Sequence, residues 1–213
     1  LKKISNFNKE FIMSVGMSKL NEIRKAYNIL KKNKKNKISL LHCISSYPTP
    51  EKDANLNCIK TLQENFECTI GQSDHTNDIF VPFCAVVMGA EIIEFHFTDT
   101  REGKDFRDHK VSLTKDDVIA LKERIPFLLD VLGHQDKQPT NSEITSNHTY
   151  SFRRGSFPAR NIKKGEVVSL KDFVFLRPAA GISAKDIYSY IGKRANKDLK
   201  ELSVLSPDDF EEK

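Results

Sequence analysis

The fold of this chain is constrained most by two polar clusters, each of which ends a short apolar run. The first cluster, at residues 71–75 (GQSDH), follows the apolar run at 68–70, and the second, at 94–96 (EFH), follows the pair at 92–93. Short apolar runs bounded by turn-forming residues are typical of buried strands. The pattern therefore predicts two strands, each with polar side chains at its carboxyl end.

The segment between the two strands is predicted to be a helix from Asn77 to Met88. Gly89 is suited to end it, because glycine adopts the left-handed backbone conformation at little cost. Strand, helix and strand in this order form a right-handed parallel crossover, which brings both strand ends to one edge. His75 and His96 are then placed to share a divalent metal and leave positions open for substrate. The alternative is that each histidine only satisfies a hydrogen bond at its strand end.

The same arrangement recurs upstream. Apolar segments at 11–13 and 38–43 predict two further buried strands, which end in the polar positions Ser14 and Ser45. Each unit spans about the length of one strand and one helix. Ligands of parallel α/β folds collect where the strands end. Four successive polar strand ends therefore indicate consecutive sectors of a (β/α) barrel.

The second half of the chain changes in character. Residues 97–112 are predicted to be a long polar loop. A helix is predicted to follow it, with Thr114 and Asp117 forming a capping box at its amino terminus. Residues 133–150 are polar and aperiodic, and they are predicted to be a linker between a domain at 1–132 and a domain at 151–213. Dense turn residues after 151 predict a small β-rich domain, with one helix at 184–191.

Charge and composition exclude several classes of function. The first 37 residues hold eleven Lys and Arg against two Glu, but the basic run at 31–35 has no interleaved aromatic residue. It ends a predicted amphipathic helix, which favours a solvated helix end over a nucleic-acid contact. No long apolar run is present, so no membrane partner is expected. The four cysteines lack paired spacing, which predicts reduced thiols and a cytoplasmic protein.

Several segments together resemble the sialic acid synthase family, whose members join a (β/α)8 barrel to a small antifreeze-like (SAF) domain. The segments that match in family order and spacing are 40–43 (LLHC), 46–50 (SYPTP), 71–76 (GQSDHT), 94–98 (EFHFT), 161–167 (NIKKGEV) and 177–178 (RP). The resemblance implies an α/β fold that supplies about strands five to eight of a TIM barrel, followed by a β-clip SAF domain. It also implies that the chain is the tail of a longer protein.

The resemblance further implies a reaction. In that family, phosphoenolpyruvate condenses with an N-acetylmannosamine-type aldehyde, which gives a nine-carbon 2-keto sugar acid and phosphate for surface carbohydrate. His75 and His96 are implied as ligands of a divalent metal, manganese in the first place, with magnesium or cobalt as alternatives. Glu94 and Asp108 are implied as the catalytic carboxylates.

Six residues are implied to bind substrates. Ser14 and Ser73 match positions that hold phosphoenolpyruvate, and Ser45 and Tyr47 match positions on the side of the acylated amino sugar or of the metal. Arg177 matches an arginine of the SAF domain that reaches into the barrel of the partner subunit, so a homodimer with exchanged SAF domains is implied. Phe152 matches an aromatic wall for the acetamido methyl group.

The chain departs from the family pattern in ways that leave alternatives open. Its loop at 103–109 is one residue longer than the family form, which favours Asp108 over Asp105 and leaves precursors of sialic, legionaminic and pseudaminic acid all open as substrates. The family's first-strand glutamate and phosphoenolpyruvate lysines match nothing here, so the chain alone is expected to be inactive. The alternatives are another barrel metalloenzyme of the aldolase type and a non-catalytic carbohydrate-binding fragment.

Overall fold

The computed structural model describes residues 1–211, and these form two compact units. The first unit is Leu1–His134, and the second begins at Gln135. In the described part of the chain, no helix combines the length and the apolar character that crossing a bilayer requires.

A parallel sheet of four strands forms the centre of the first unit. The strands lie side by side in chain order, and they are β1 (Glu10–Ser14), β2 (Lys37–Cys43), β3 (Thr69–Asp74) and β4 (Ile92–Phe95). In the register of the sheet, Ser73 lies beside Cys43 on one neighbouring strand and beside Glu94 on the other. The carboxyl ends of the strands are therefore level and share one rim.

Helices connect these strands and continue beyond them. They are α1 (Leu20–Lys31), α2 (Asn57–Asn65), α3 (Phe80–Val87), α4 (Arg107–Val111) and α5 (Lys115–Leu132). The core forms where the first three helices pack on the sheet, and its best-buried side chains, at most 1% exposed, are Leu30, Leu40, Ile59, Ile70 and Ala85. The alternation of parallel strands and helices confirms the predicted α/β class and a half-barrel sheet. The assignment to strands five to eight of a barrel stays a prediction.

The sheet is strongly curved. In a flat sheet β1 and β4 would lie about 14 Å apart, since neighbouring strands are separated by about 4.8 Å. Yet the Ser14 hydroxyl of β1 lies 3.4 Å from Glu94 Oε1 of β4. A glutamate side chain cannot span the flat distance, so the rim must bend around the side chains that point inward.

Two predictions for the first unit are wrong. The strand at 11–13 is not buried throughout, because Ile12 is 60% exposed. Ile12 lies on the same face of β1 as Ser14, opposite the face from which Phe11 and Met13 pack against the core. The segment at 97–112 is not only loop, since it contains helix α4, and Phe97 forms a parallel bridge with Leu113.

The second unit is small and has its own core. Its elements are two short helices, α6 (Asn141–Thr145) and α7 (His148–Ser151), and the antiparallel strands β5 (Gly155–Pro158) and β6 (Phe173–Leu176). Isolated bridges such as Ile162 with Leu199 add to the β structure. Both short helices lie within or beside the segment predicted to be a linker. The predicted helix at 184–191 is wrong, since only a 3-10 turn forms there, at Ile187–Ser189.

Candidate functional site

Three side chains from different strands meet inside the curved rim. Glu94 Oε1 accepts a hydrogen bond from the Ser73 hydroxyl at 2.6 Å and a longer one from the Ser14 hydroxyl at 3.4 Å. Both bonds reach the same carboxylate oxygen, and in the described chain Oε2 has no hydrogen-bond donor. Glu94 therefore presents one oriented oxygen and one free oxygen toward the interior of the rim.

His75 follows β3 and is held in a defined orientation. Its ring is buried, 5% exposed, and its Nδ1 lies 3.0 Å from the carbonyl oxygen of Ile44. A carbonyl oxygen can only accept a hydrogen bond, so Nδ1 must carry the proton. The lone pair then resides on Nε2, which is the arrangement found in histidines that ligate metals through Nε2.

His96 follows β4, and its ring lies next to that of His75. The two ring centroids are 5.1 Å apart, and His96 Nδ1 lies 3.9 Å from Asp108 Oδ2 of α4. Two imidazoles on one rim, one of them with its Nε2 lone pair fixed, fit a divalent cation. Within the described residues no cluster of three or more His, Cys, Asp and Glu is placed to hold a metal. The other coordination positions would therefore belong to water, substrate or groups outside these residues.

Tyr47 packs against both histidines. Its ring centroid lies 4.2 Å from that of His75 and 5.7 Å from that of His96. Burial raises the pKa of the Tyr47 hydroxyl, and the nearby Cys43, Asp108 and Glu94 raise it further, while the positive charge of Arg107 lowers it in part. The phenol is therefore protonated at neutral pH and can donate a hydrogen bond to an oxygen of a substrate.

Arg107 belongs to this cluster although the sequence did not single it out. The central carbon of its guanidinium lies 5.3 Å from the centroid of the Tyr47 ring, and its Nε lies 3.6 Å from Asp108 Oδ1. The one available signal was its position directly before Asp108, in the loop that is longer than the family form. Its place in the sequence beside Asp108 did not indicate that the Arg107 side chain would lie over Tyr47.

Asp74, between Ser73 and His75, has a supporting position rather than a place in the cluster. Its carboxylate is buried and accepts hydrogen bonds from the Thr76 hydroxyl and from Gln72 Nε2. Burial raises the pKa of Asp74, and the bonds from Thr76 oppose the rise. The interaction ties the end of β3 to the following turn and so helps to fix the backbone on either side of His75.

Of the three remaining candidate residues, one belongs to the first unit and two belong to the second. The Ser45 side chain is exposed. Its hydroxyl oxygen lies so close to Gly16 that a Cβ atom on Gly16 would overlap it. Phe152 and Arg177 belong to the second unit, where the guanidinium lies 5.2 Å from the centroid of the phenylalanine ring and both side chains are exposed. The structure thus brings together seven of the predicted site residues and Arg107, namely Ser14, Tyr47, Ser73, His75, Glu94, His96 and Asp108.

Comparison with known proteins adds independent findings. The model of the NeuB family matches residues 1–137, and the model of the SAF domain matches residues 153–211. The N,N'-diacetyllegionaminic acid synthase of Campylobacter jejuni is 38% identical over 207 residues, which cover 96% of this chain and 61% of the synthase. The pseudaminic acid synthase of the same organism is 32% identical over 98% of this chain and 60% of its own length. This chain therefore spans about three fifths of these relatives.

A solved structure agrees with this relationship. The N-acetylneuraminic acid synthetase of Leptospira borgpetersenii, crystallised in complex with citrate, superposes with a TM-score of 0.64 at 37% identity. The superposition covers 70% of this chain and 51% of that protein. A spore coat polysaccharide biosynthesis protein of Chromobacterium violaceum matches 99% of the chain with a TM-score of 0.77, and at 22% identity it supports the fold alone.

Proposed function

Because this chain belongs to the NeuB family and also matches the SAF domain, we propose that it forms part of a sugar acid synthase. The proposed reaction condenses phosphoenolpyruvate with an acylated amino sugar of the N-acetylmannosamine type and releases phosphate. The relatives named as legionaminic and pseudaminic acid synthases support this class of reaction. The single observation that carries it is the convergence of His75, His96, Tyr47 and Glu94 on one curved rim.

His75 and His96 would hold the divalent ion, for which manganese is the first candidate and magnesium and cobalt are the alternatives. When bound, such an ion supplies Lewis-acid polarisation of the sugar aldehyde. The chain's own contribution is orientation, since the Ile44 carbonyl fixes the tautomer of His75 and Asp108 lies beside His96. Carboxylate and carbonyl partners of this kind hold a ligating imidazole in a productive direction.

Glu94 would manage charge and protons in the reaction. Attack of phosphoenolpyruvate C3 on the aldehyde carbon forms the new C–C bond, turns the aldehyde oxygen into a hydroxyl that takes up a proton, and leaves a cationic centre at C2. Water adds to C2 with loss of a proton, and the bond between C2 and the phosphate oxygen then breaks, which gives the keto group and releases phosphate. The Oε2 of Glu94 is suited to accept the proton that the water loses, because it has no hydrogen-bond donor among the described residues. The Ser14 and Ser73 hydroxyls are the proposed donors to phosphoenolpyruvate, and each would rotate away from Glu94 to meet an anionic oxygen.

The sugar side would be formed by Tyr47, Asp108 and Ser45 of the first unit. We further propose that Arg177 and Phe152 reach the sugar from the second unit of a partner subunit in a homodimer. Both side chains are exposed, which supports this role, since the guanidinium fork of Arg177 is open to a ligand. The Phe152 ring also stacks on the His148 ring, with the two centroids 4.3 Å apart. The four free cysteines support a reducing, cytoplasmic compartment for the protein.

The direct test is an assay of phosphate release from phosphoenolpyruvate with N-acetylmannosamine and manganese. It compares the 213-residue chain with the longest natural form of the protein that contains it. The longest form is expected to turn over only when sugar and metal are both present, and Glu94→Gln should abolish turnover while the fold is kept. The chain alone is expected to be inactive, because four strands do not close a barrel around the substrates. Phosphate release that does not depend on an amino sugar would contradict the proposed reaction.

Replacement of Arg177 by alanine tests the role of the second unit. We expect weaker use of the sugar, with phosphoenolpyruvate binding nearly unchanged, when both KM values are measured in the active form. Arg153→Ala is a matched control, because Arg153 is also an exposed arginine next to Phe152 in sequence. Equal loss of affinity for both substrates would instead indicate that Arg177 stabilises the fold.

A further inference from the structure

Arg107 is a cationic side chain that contacts the candidate sugar side of the rim. It is the first residue of α4, its guanidinium lies over the Tyr47 ring, and its Nε approaches Asp108 Oδ1. Both contacts are with residues that the proposed function assigns to the sugar. The guanidinium therefore lies where a group of the acceptor sugar would be bound.

The guanidinium retains free hydrogen-bonding capacity. Its Nε lies 3.6 Å from Asp108, which is longer than a hydrogen bond, and the arginine side chain is 69% exposed. Within the described residues neither terminal nitrogen makes a hydrogen bond. Contact with the face of an aromatic ring holds a guanidinium in place without using its N–H groups, so the terminal nitrogens remain available to a ligand.

We infer that Arg107 is a specificity-determining residue that binds a negatively charged substituent, a phosphate or a carboxylate, on the acceptor sugar. The inference rests on the proposed function and adds the chemical class of the substrate. The neighbouring Asp108 and Tyr47 already offer an acceptor and a donor to the sugar hydroxyls, which leaves the charge of Arg107 available to an anionic group. The planar guanidinium can donate two parallel hydrogen bonds to two oxygens of a phosphate or a carboxylate. A neutral sugar cannot form such a charged pair, so it lacks this contribution to affinity.

Titration calorimetry at low ionic strength tests the inference without turnover. The ligands are N-acetylmannosamine, its phosphate ester and the corresponding uronic acid, each added to the longest natural form of the protein. We expect one of the two anionic sugars to bind about tenfold or more tightly than the neutral sugar, since hydrogen bonds to charged groups contribute on this scale. Added salt should reduce the preference, and the comparison of the two anionic sugars distinguishes phosphate from carboxylate.

Variants of α4 separate recognition from general charge. Arg107→Ala should abolish the preference, and Arg107→Lys should keep part of it because the charge remains without the planar fork. Lys110→Ala is the matched control, since it removes the same charge from the same helix and should leave the preference intact. Circular dichroism verifies that each variant is folded. If Arg107→Ala does not fold, Arg107→Lys decides the test. A lysine variant that keeps the full wild-type preference for the anionic sugar would show that the planar guanidinium is not the determinant.

Failure of the inference and failure of the proposed function give different results. If the neutral and anionic sugars bind equally well, or if Arg107→Ala keeps the preference, Arg107 is not the determinant while the synthase proposal stands. If no acylated amino sugar binds and phosphoenolpyruvate is not consumed, the proposed function is wrong and the assignment of Arg107 falls with it.

Discussion

At the scale of single residues, the site depends on how its neighbours orient each polar group. The Ile44 carbonyl sets the tautomer of His75, and Ser73 leaves only one oxygen of Glu94 free. Neither partner differs chemically from many other groups in the chain. What matters is that the strand ends place them within hydrogen-bond distance, since a hydrogen bond loses its strength within a few tenths of an ångström.

The first residue-scale prediction concerns metal binding. Replacement of His75 by alanine should weaken manganese binding about tenfold or more, because one of the two proposed imidazole ligands is lost. Binding is measured by electron paramagnetic resonance of free manganese. His134→Ala is the matched control, since His134 is exposed and should leave the affinity unchanged. Unaltered binding in His75→Ala would mean that the ion lies elsewhere.

A second residue-scale prediction concerns Asp172, which is buried in the second unit. Its carboxylate accepts bonds from the backbone N–H and hydroxyl of Ser169 at 2.8 and 2.7 Å and from Arg160 Nε at 2.9 Å. Burial alone would raise the pKa of Asp172, but these donors outweigh it, so the pKa lies below its usual 3.8. The ionised Asp172 therefore stabilises the folded unit above pH 3.8, and this stabilisation is lost as the pH falls through the lower pKa of the folded state.

Asp172→Asn should accordingly destabilise the second unit by about 2 kcal/mol or more, because a buried charged acceptor is replaced by a neutral group. Asp198→Asn removes a carboxylate whose side chain is 60% exposed, and it should lower the free energy of unfolding much less than Asp172→Asn does. Urea unfolding at neutral pH measures both losses. The free energies of unfolding of the wild type and Asp172→Asn should become more similar below pH 3.8. A difference that does not change with pH would exclude a contribution from the ionised carboxylate.

At the scale of elements, the contact between β3 and β4 depends on the absence of a side chain at Gly71. A Cβ at this position would overlap the carbonyl oxygen of Ile92 and lie 2.6 Å from Leu41 Cδ2. The overlap involves the backbone of β4, which cannot move without changing the pairing of Ser73 with Glu94. The close approach of these strands therefore underlies the position of Glu94.

Gly71→Ala should destabilise the first unit by about 2 kcal/mol or more, because a packed backbone has to shift. Thr69→Ala in the same strand removes atoms instead of adding them and should cost about 1 kcal/mol or less. Thermal unfolding measures both changes. A Gly71→Ala variant as stable as wild type would show that β4 tolerates displacement.

At the scale of the whole molecule, the two units have separate hydrophobic cores. The first core is built from α1, α2, α3 and the parallel sheet, and the second includes Ile162, Val168, Ile187 and Leu205. A unit with its own core can fold without its neighbour, and small domains of this size are marginally stable. We therefore expect that the second unit does not need its connection to the first in order to fold.

Expression of residues 135–213 alone should therefore give a folded domain. We expect a dispersed amide spectrum and a cooperative thermal transition, because its buried side chains contact one another. Residues 1–134 alone should be less stable and should self-associate, since in the described structure β1 and β4 each pair with only one strand. Light scattering measures the association, and a monodisperse monomer would contradict this expectation.

The sequence by itself determined the order of the elements and the places of the histidines. Apolar runs, turn residues and Gly89 mark each strand and helix locally, so the parallel crossover and the shared rim followed from neighbouring residues. The same local signals failed at Ile12 and at α4. Burial of a strand depends on what packs beside it, and a short helix after a long loop is stabilised mainly by tertiary contacts.

Only the tertiary structure decided which polar groups meet. Ser14 reaches Glu94 across 80 positions of sequence, and Arg107 lies over Tyr47 because the loop after β4 folds back across the rim. No local periodicity encodes these contacts, since they depend on the curvature of the sheet and the path of a loop. The sequence thus determined which residues stand at the strand ends, and the bending of the sheet decided their distances, hydrogen bonds and proton positions.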